Sequence, residues 1–181
     1  MNQVLLAICT KQDVHAMVSM TAAQLAQRPD VDLTTVIARP VDHARNQAVS
    51  LFLASKRFTH LFFVDSDVVP PLDCLDHLLI QNAPAVTGCY AVRMPSGLRW
   101  ALSRKKDGHH RLIDRLEKKP FVVAGGGAGC LLLSRQCLET IDWPYFQWTN
   151  KVDGTQVSED IYFFDRLADA SIDLIADPTV I

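Results

Sequence analysis

Two groups of acidic residues carry the clearest potential for chemistry in this sequence. Asp65 and Asp67 stand one residue apart where the apolar run His60-Leu61-Phe62-Phe63-Val64 ends, and Glu159-Asp160 follow Ser158 at the start of a helical pattern. Side chains at i and i+2 leave an extended segment on the same side, so Asp65 and Asp67 can face one divalent cation, or a cation with its bound diphosphate. Arg45 and Asn46 add a cation and an amide near the start of another helix, where backbone N–H groups already favour anions. Plainer accounts stand beside each of these. Aspartate is common in turns and caps, an isolated arginine is usually solvated, and Ser158 with two acids makes a well-capped first turn.

The elements that must position these residues can be read from apolar periods. Leu61 to Val64 is a short strand apolar on both faces, the pattern of a central strand in a parallel sheet covered by helices. Ligands of open α/β sheets bind at the carboxyl ends of strands, where Asp65 and Asp67 emerge, with Arg45 expected on the same edge and within reach of a diphosphate. Pro70 and Pro71 then stop the strand and start a helix over 72–81. Upstream, Val4 to Thr10 is a buried strand, Asp13 to Gln27 a helix with Asp13 as N-cap, Val31 to Ala38 a second strand, and Asp42 to Ser55 a helix with Ala44, Ala48, Leu51 and Phe52 inward. Strand, helix, strand implies a right-handed parallel crossover.

Downstream, Ala85 to Val92 is a strand in which Gly88 permits close approach of a backbone or ligand. Residues 93–119 change character: Arg99, Arg104, Lys105, Lys106, Arg111, Arg115, Lys118 and Lys119 face only Asp107, Asp114 and Glu117. Such a run reads first as a solvated, mobile loop, and second as a surface for an anionic acceptor, nucleic acid included. His109-His110 lacks a paired ligand spacing, which argues against zinc. Phe121 to Ala124 leads into Gly125-Gly126-Gly127-Ala128-Gly129, a run that is neither a phosphate loop nor a dinucleotide fingerprint. It suits a wall for a flat, hydroxyl-rich ligand, or simply a bulge or turn. Trp143, Tyr145, Phe146 and Trp148 are either satellite core or a sugar-stacking cluster. A last helix over 159–170 buries Ile161, Phe164 and Leu167, and a final strand covers Leu174 to Ala176.

Composition bounds the rest. The chain has 181 residues, 49% of them apolar and 21% charged, and a net charge of −2, which fits one globular domain with no global attraction to polyanions. No apolar run has the length of a membrane span, and the first residues lack the pattern of a signal peptide. Five scattered cysteines without CxxC spacing read as buried thiols in a reducing cytoplasm.

Three readings of Asp65-Ser66-Asp67 remain open at this level. They are a turn and helix cap, the nucleophile and acid/base of a haloacid-dehalogenase-type phosphatase, or the metal-binding Asp-Xaa-Asp of a nucleotide-sugar glycosyltransferase. The phosphatase motif closes the first strand of its domain, whereas here two strands and two helices precede it. The succession Ala44-Arg45-Asn46, Thr59 to Asp67, Val86-Thr87-Gly88-Cys89-Tyr90, Gly127 to Leu133 and Ser158-Glu159-Asp160 resembles the GT-A glycosyltransferases, particularly the bacterial and phage proteins related to glycosyltransferase family two. The resemblance runs from near Val4 to Val180. It implies a single α/β, Rossmann-like GT-A domain over 1–181, with a mostly parallel central sheet flanked by helices. Residues 1–92 would be the nucleotide-binding half and 93–181 the acceptor side.

The same resemblance implies a metal-dependent hexosyltransferase that moves sugar from a UDP- or GDP-sugar to a hydroxyl acceptor. Mn²⁺ or Mg²⁺ would be held by Asp65 and Asp67, and the donor by Thr10, Arg45, Asn46, Asp65, Ser66 and Gly127. Asp160 would be the general base, with Glu159 second. The acceptor would be a glycan, a small molecule, or nucleic acid through residues 99–119. In the family a histidine completes the metal site a few residues past the counterpart of Asp177 to Val180. Here Ile181 is the last residue, so the expectation is a longer chain, a metal with fewer protein ligands, or a weak catalyst. A degenerate sugar-nucleotide-binding or partner-binding domain without turnover is the non-enzymatic alternative.

Overall fold

The computed structural model describes residues 2–95, 97–150 and 154–181. Strands and helices alternate first: β1 (Val4–Thr10), α1 (Ala16–Leu25), β2 (Val31–Ile37), α2 (Val41–Ala54), β3 (His60–Asp65), α3 (Cys74–Ile80) and β4 (Ala85–Gly88). Two hairpins follow, β5 (Ala91–Met94) with β6 (Gly97–Trp100) and β7 (Leu102–Lys106) with β8 (His109–Leu112). The remainder is β9 (Phe121–Val123), β10 (Gly125–Gly126), β11 (Cys130–Ser134), α4 (Arg135–Thr140), β12 (Thr149–Asn150), β13 (Gln156–Val157), α5 (Glu159–Asp169) and β14 (Leu174–Asp177).

Seven strands form the main sheet in the order β2-β1-β3-β11-β4-β14-β9. This corrects the expectation of a mostly parallel sheet flanked by helices. β1 is parallel to β2 and β3, and β14 to β4, but β11 runs antiparallel to both β3 and β4, and β9 antiparallel to β14. Three smaller antiparallel sheets accompany it. The physical reason is that β11 is buried on both faces, so its unbroken apolar run carries no mark of direction. Strands from both the 1–92 and 93–181 stretches share the sheet.

Alternation along β1 divides the interior. Leu5, Ala7 and Cys9 pack with Ala44, Ala48 and Phe52 of α2, Leu138 of α4 and Phe163 and Leu167 of α5. Val4, Leu6 and Ile8 pack with Val18 and Leu25 of α1 and Leu75 and Leu78 of α3. A column of rings then ties β3 to α5. Phe63 meets Phe146 edge-on at 5.5 Å, and Phe146 stacks on Phe163 at 4.5 Å. Tyr145 and Phe146 are therefore core, while Trp143 is 70% exposed.

Two local expectations are also corrected. The N-cap of α1 is His15, whose Nδ1 accepts from the Met17 N–H at 3.3 Å, not Asp13. The basic 93–119 stretch holds two hairpins where a loop was expected. Asp107 and Gly108 take φ of 52° and 74°, the left-handed pair that a two-residue hairpin turn demands, so Asp-Gly was the signal to read. Among the described residues, no helix is long and apolar enough to cross a membrane. All five cysteines are buried and free.

Gly88 does permit a close approach, and the approaching groups are protein. A Cβ there would lie 2.7 Å from Cys130 Sγ and 2.8 Å from Val180 Cγ1. Gly88→Ala is expected to cost about 1–3 kcal/mol by overpacking, read as a lower urea midpoint at unchanged m.

Candidate active site

β3 delivers Asp65 to the carboxyl edge of the sheet, where its N–H donates to the Gly129 carbonyl at 3.2 Å. The chain turns at once: the Val68 N–H donates back to the Asp65 carbonyl at 3.2 Å, and the Ser66 carbonyl accepts from the His15 N–H at 2.9 Å. On the other side of the edge, α5 begins with Ser158 in the N-cap position, though its hydroxyl makes no capping bond. Glu159 is buried and Asp160 half-buried.

Arg45 joins these two elements. It reaches in from α2 with its side chain 4% exposed, and its Nη2 donates to Asp65 Oδ1 at 2.6 Å. Its Nη1 donates to Glu159 Oε1 and lies 3.5 Å from Asp160 Oδ1. The guanidinium sits 5.7 Å from the Phe146 ring centre, so the aromatic column forms its floor. Asn46 fixes that floor. Its amide donates to the Phe146 carbonyl at 2.7 Å and accepts from the Tyr145 and Phe146 N–H groups at 3.0 and 3.1 Å. Both were read in sequence as donor contacts; here the Asn46 amide is committed to backbone partners and Arg45 Nη1 and Nη2 to carboxylates, while the buried Arg45 Nε has no hydrogen-bond partner among the described residues.

Charge in this cluster does not balance internally. Asp65, Glu159 and Asp160 share one guanidinium, and Asp67, exposed beside them, makes no hydrogen bond or ion pair among the described residues. Burial works against the charged guanidinium, yet Asp65, Asp160 and Glu159 together hold its pKa above that of a free arginine. Burial raises the pKa of Asp65, and the pull of Arg45 does not cancel it. Burial, reinforced by the neighbouring Asp160 carboxylate, pushes Glu159 up to about 7.

Two hollows open around the cluster. The larger, about 670 Å³, is lined by Tyr90, Arg93, Ser103, His110, Gly127 and Ile161 among others. The smaller, about 430 Å³, takes in Thr10, Gln12, Arg45, Ser66 and Glu159. Asp65, Asp67 and Asp160 line both, forming a ridge between them. Thr10 turns its hydroxyl to the Asp13 carbonyl at 2.7 Å.

The glycine run makes room for a side chain that the sequence reading left without a role. A Cβ on Gly127 would fall 1.8 Å from Tyr90 Oη, and one on Gly129 would fall 2.8 Å from it and 3.0 Å from Asp65 Oδ2. Tyr90 Oη accepts from the Gly129 N–H at 3.0 Å, and burial, with the nearby Asp65 charge, raises its pKa, so it keeps a proton to donate. Ser103, His110 and Asp165 were likewise missed. His110 Nδ1 is 2.8 Å from Ser103 Oγ and its Nε2 3.0 Å from Asp165 Oδ1, an arrangement that depends on hairpin register no short motif encodes.

Among the described residues, no group of three or more His, Cys, Asp or Glu side chains is placed to hold a metal ion. What the strand end offers is two hard oxygen donors: Asp65, with Oδ2 free of hydrogen bonds, and Asp67.

No protein-family model matches the chain, and no curated protein does. Thirty-nine chains of known structure match. One is the crystal structure of A197 from STIV, with a TM-score of 0.67 and 22% identity, covering 98% of this chain and 83% of that one. The likeness is one of fold.

Removing one partner of a buried ion pair strands the others. Arg45→Ala is expected to cost about 3–5 kcal/mol in urea unfolding. The raised Glu159 pKa sets a pH dependence. The folded state binds the proton more tightly than the unfolded chain, so this contribution to stability is complete below pH 4.5 and falls as pH rises toward 7. Glu159→Gln should flatten that part of a stability–pH curve; an unchanged slope would contradict the assignment.

Proposed function

We propose that the protein is a glycosyltransferase that moves a sugar from a nucleotide-diphosphate donor to a hydroxyl acceptor with the help of Mn²⁺ or Mg²⁺. The observation that carries this reading is the shared ridge: Asp65, Asp67 and Asp160 border two separate hollows, with Arg45 spanning Asp65 and Asp160. A group transfer between two bound molecules needs two compartments meeting at the reacting groups.

In this reading the smaller hollow takes the nucleotide diphosphate beside Thr10 and Ser66, and the larger takes the acceptor. Asp65 and Asp67 would hold the cation. Two carboxylates suit a magnesium-type ion when phosphate and water oxygens complete its shell. When bound, the cation would neutralise charge on the leaving diphosphate. Asp160 accepts the acceptor's hydroxyl proton as that oxygen bonds to the anomeric carbon, and the bond from that carbon to the diphosphate oxygen breaks. Arg45 positions Asp65 and Asp160 without touching the donor. Tyr90 offers a hydroxyl proton in the larger hollow.

A phosphatase acting through Asp65 has less support, because β1, α1, β2 and α2 all precede that residue, whereas the phosphatase motif closes the first strand of its domain.

Thermal-shift measurements with UDP-, GDP-, CMP- and dTDP-sugars, with and without Mn²⁺, test the reading. One nucleotide should raise Tm in a metal-dependent way, and Asp67→Ala should abolish that rise. Asp160→Asn should keep the rise while lowering kcat about 10²–10⁴-fold. Indifference to every nucleotide, or phosphate release from simple phosphomonoesters, would overturn the proposal.

A further inference from the structure

We propose that the outer face of the β7–β8 hairpin is a binding surface for single-stranded nucleic acid. Register places Arg104 opposite Arg111 and Lys106 opposite His109. Residues paired across an antiparallel ribbon, and those two positions further along, share a face, so these four side chains form one row. All four are exposed.

The opposite face is committed to the body of the protein. Lys105 Nζ and His110 Nε2 reach Asp165 of α5 at 2.7 and 3.0 Å, and Ser103, His110 and Leu112 line the larger hollow. The hairpin's orientation is therefore set, with the cationic row outward.

Its charge is costly to the fold alone. Like charges directly opposite each other destabilise a ribbon. Arg104 is offset by Glu117, and Arg99 by Asp114. Among the described residues, Lys106 and Arg111 have no ion-pair partner, nor do Arg115, Lys118 and Lys119 just beyond β8. Residues 97–119 hold eight Lys/Arg against three Asp/Glu in a chain of net charge −2, so the rest carries −7. Charge is segregated onto this arm.

Two features select nucleic acid over an anionic membrane. Membrane-surface binding places apolar side chains beside the cations, whereas this row and its Asp107-Gly108 tip have none. The row instead offers the Arg111 guanidinium and the His109 imidazole, flat cationic and aromatic surfaces on which unpaired bases stack, while Arg104 lies over the Phe121 ring and pairs with Glu117.

The test is fluorescence anisotropy with a labelled single-stranded 20-nucleotide oligomer, a readout that does not pass through sugar transfer and so stands or falls apart from it. Binding at 50 mM salt should weaken with a log–log salt slope of about −2 to −3.5, for three to five phosphate contacts. Lys106→Glu combined with Arg111→Glu should weaken binding at least tenfold and reduce the slope by about 1.4. Both side chains are exposed and Arg111 faces Arg104, so the variant should fold with a Tm no lower than that of wild type. Lys106→Glu alone should weaken binding measurably, whereas Lys56→Glu, an equal charge change outside the arm, should bind like wild type. Four results would overturn the proposal: no binding by wild type, an unaffected double variant, Lys56→Glu weakening binding as much as Lys106→Glu, or tighter binding to a duplex or to phosphatidylglycerol vesicles.

Discussion

One buried guanidinium sets the geometry of the acidic edge of the main sheet. Arg45 belongs to α2, Asp65 to β3, and Glu159 and Asp160 to α5, so three elements meet at a single planar cation. Burying such a group is expensive unless its hydrogen bonds are well made, and a fork of fixed N–H directions satisfies carboxylates only in a narrow range of positions. The stack of Phe63, Phe146 and Phe163 supports the same three-way junction from below. Electrostatics and packing thus fix the same spacing between the strand end and the helix start.

That arrangement sets a requirement on any anionic ligand. A diphosphate entering beside Asp65, Asp67 and Asp160 meets like charge, and the nearest cation is already shared among three carboxylates. Entry with a divalent ion removes the repulsion; entry without one does not. The role given to Arg45 from sequence, direct contact with the diphosphate, and the role its contacts support, holding carboxylates in place, therefore differ in consequence. In the second case, attraction for phosphate has to come from Lys11, which lines the same hollow, or from an accompanying ion.

What sequence made legible follows from how each feature is encoded. β1, β3, α2 and α5 carry unbroken apolar periods, and each appears within one or two residues of its expected span. Strand direction is not encoded that way. β11 is apolar throughout, and its antiparallel place between β3 and β4 arises because the chain returns from two hairpins. Those hairpins were hidden by charge, which suggested a loop although Asp107-Gly108 named the turn. Side-chain commitments were hidden too. Nothing in the order of residues says that Asn46 will serve the backbone of Tyr145 and Phe146. The meeting of Asp65 with Asp160 across 95 positions became an expectation only through resemblance to a known succession of motifs.

The glycines at 127 and 129 show why the ridge stays open. Neither has a positive φ, so neither is required by backbone conformation. Their requirement is space, because the volume a methyl group would fill at either position is taken by the Tyr90 hydroxyl. A larger residue at 129 would press on Tyr90 and on Asp65 Oδ2 together. The absence of side chains on that strand edge thus positions a tyrosine, and the tyrosine narrows the approach to the carboxylate. The glycine run and the acidic pair lie more than fifty residues apart, and they belong to one steric device.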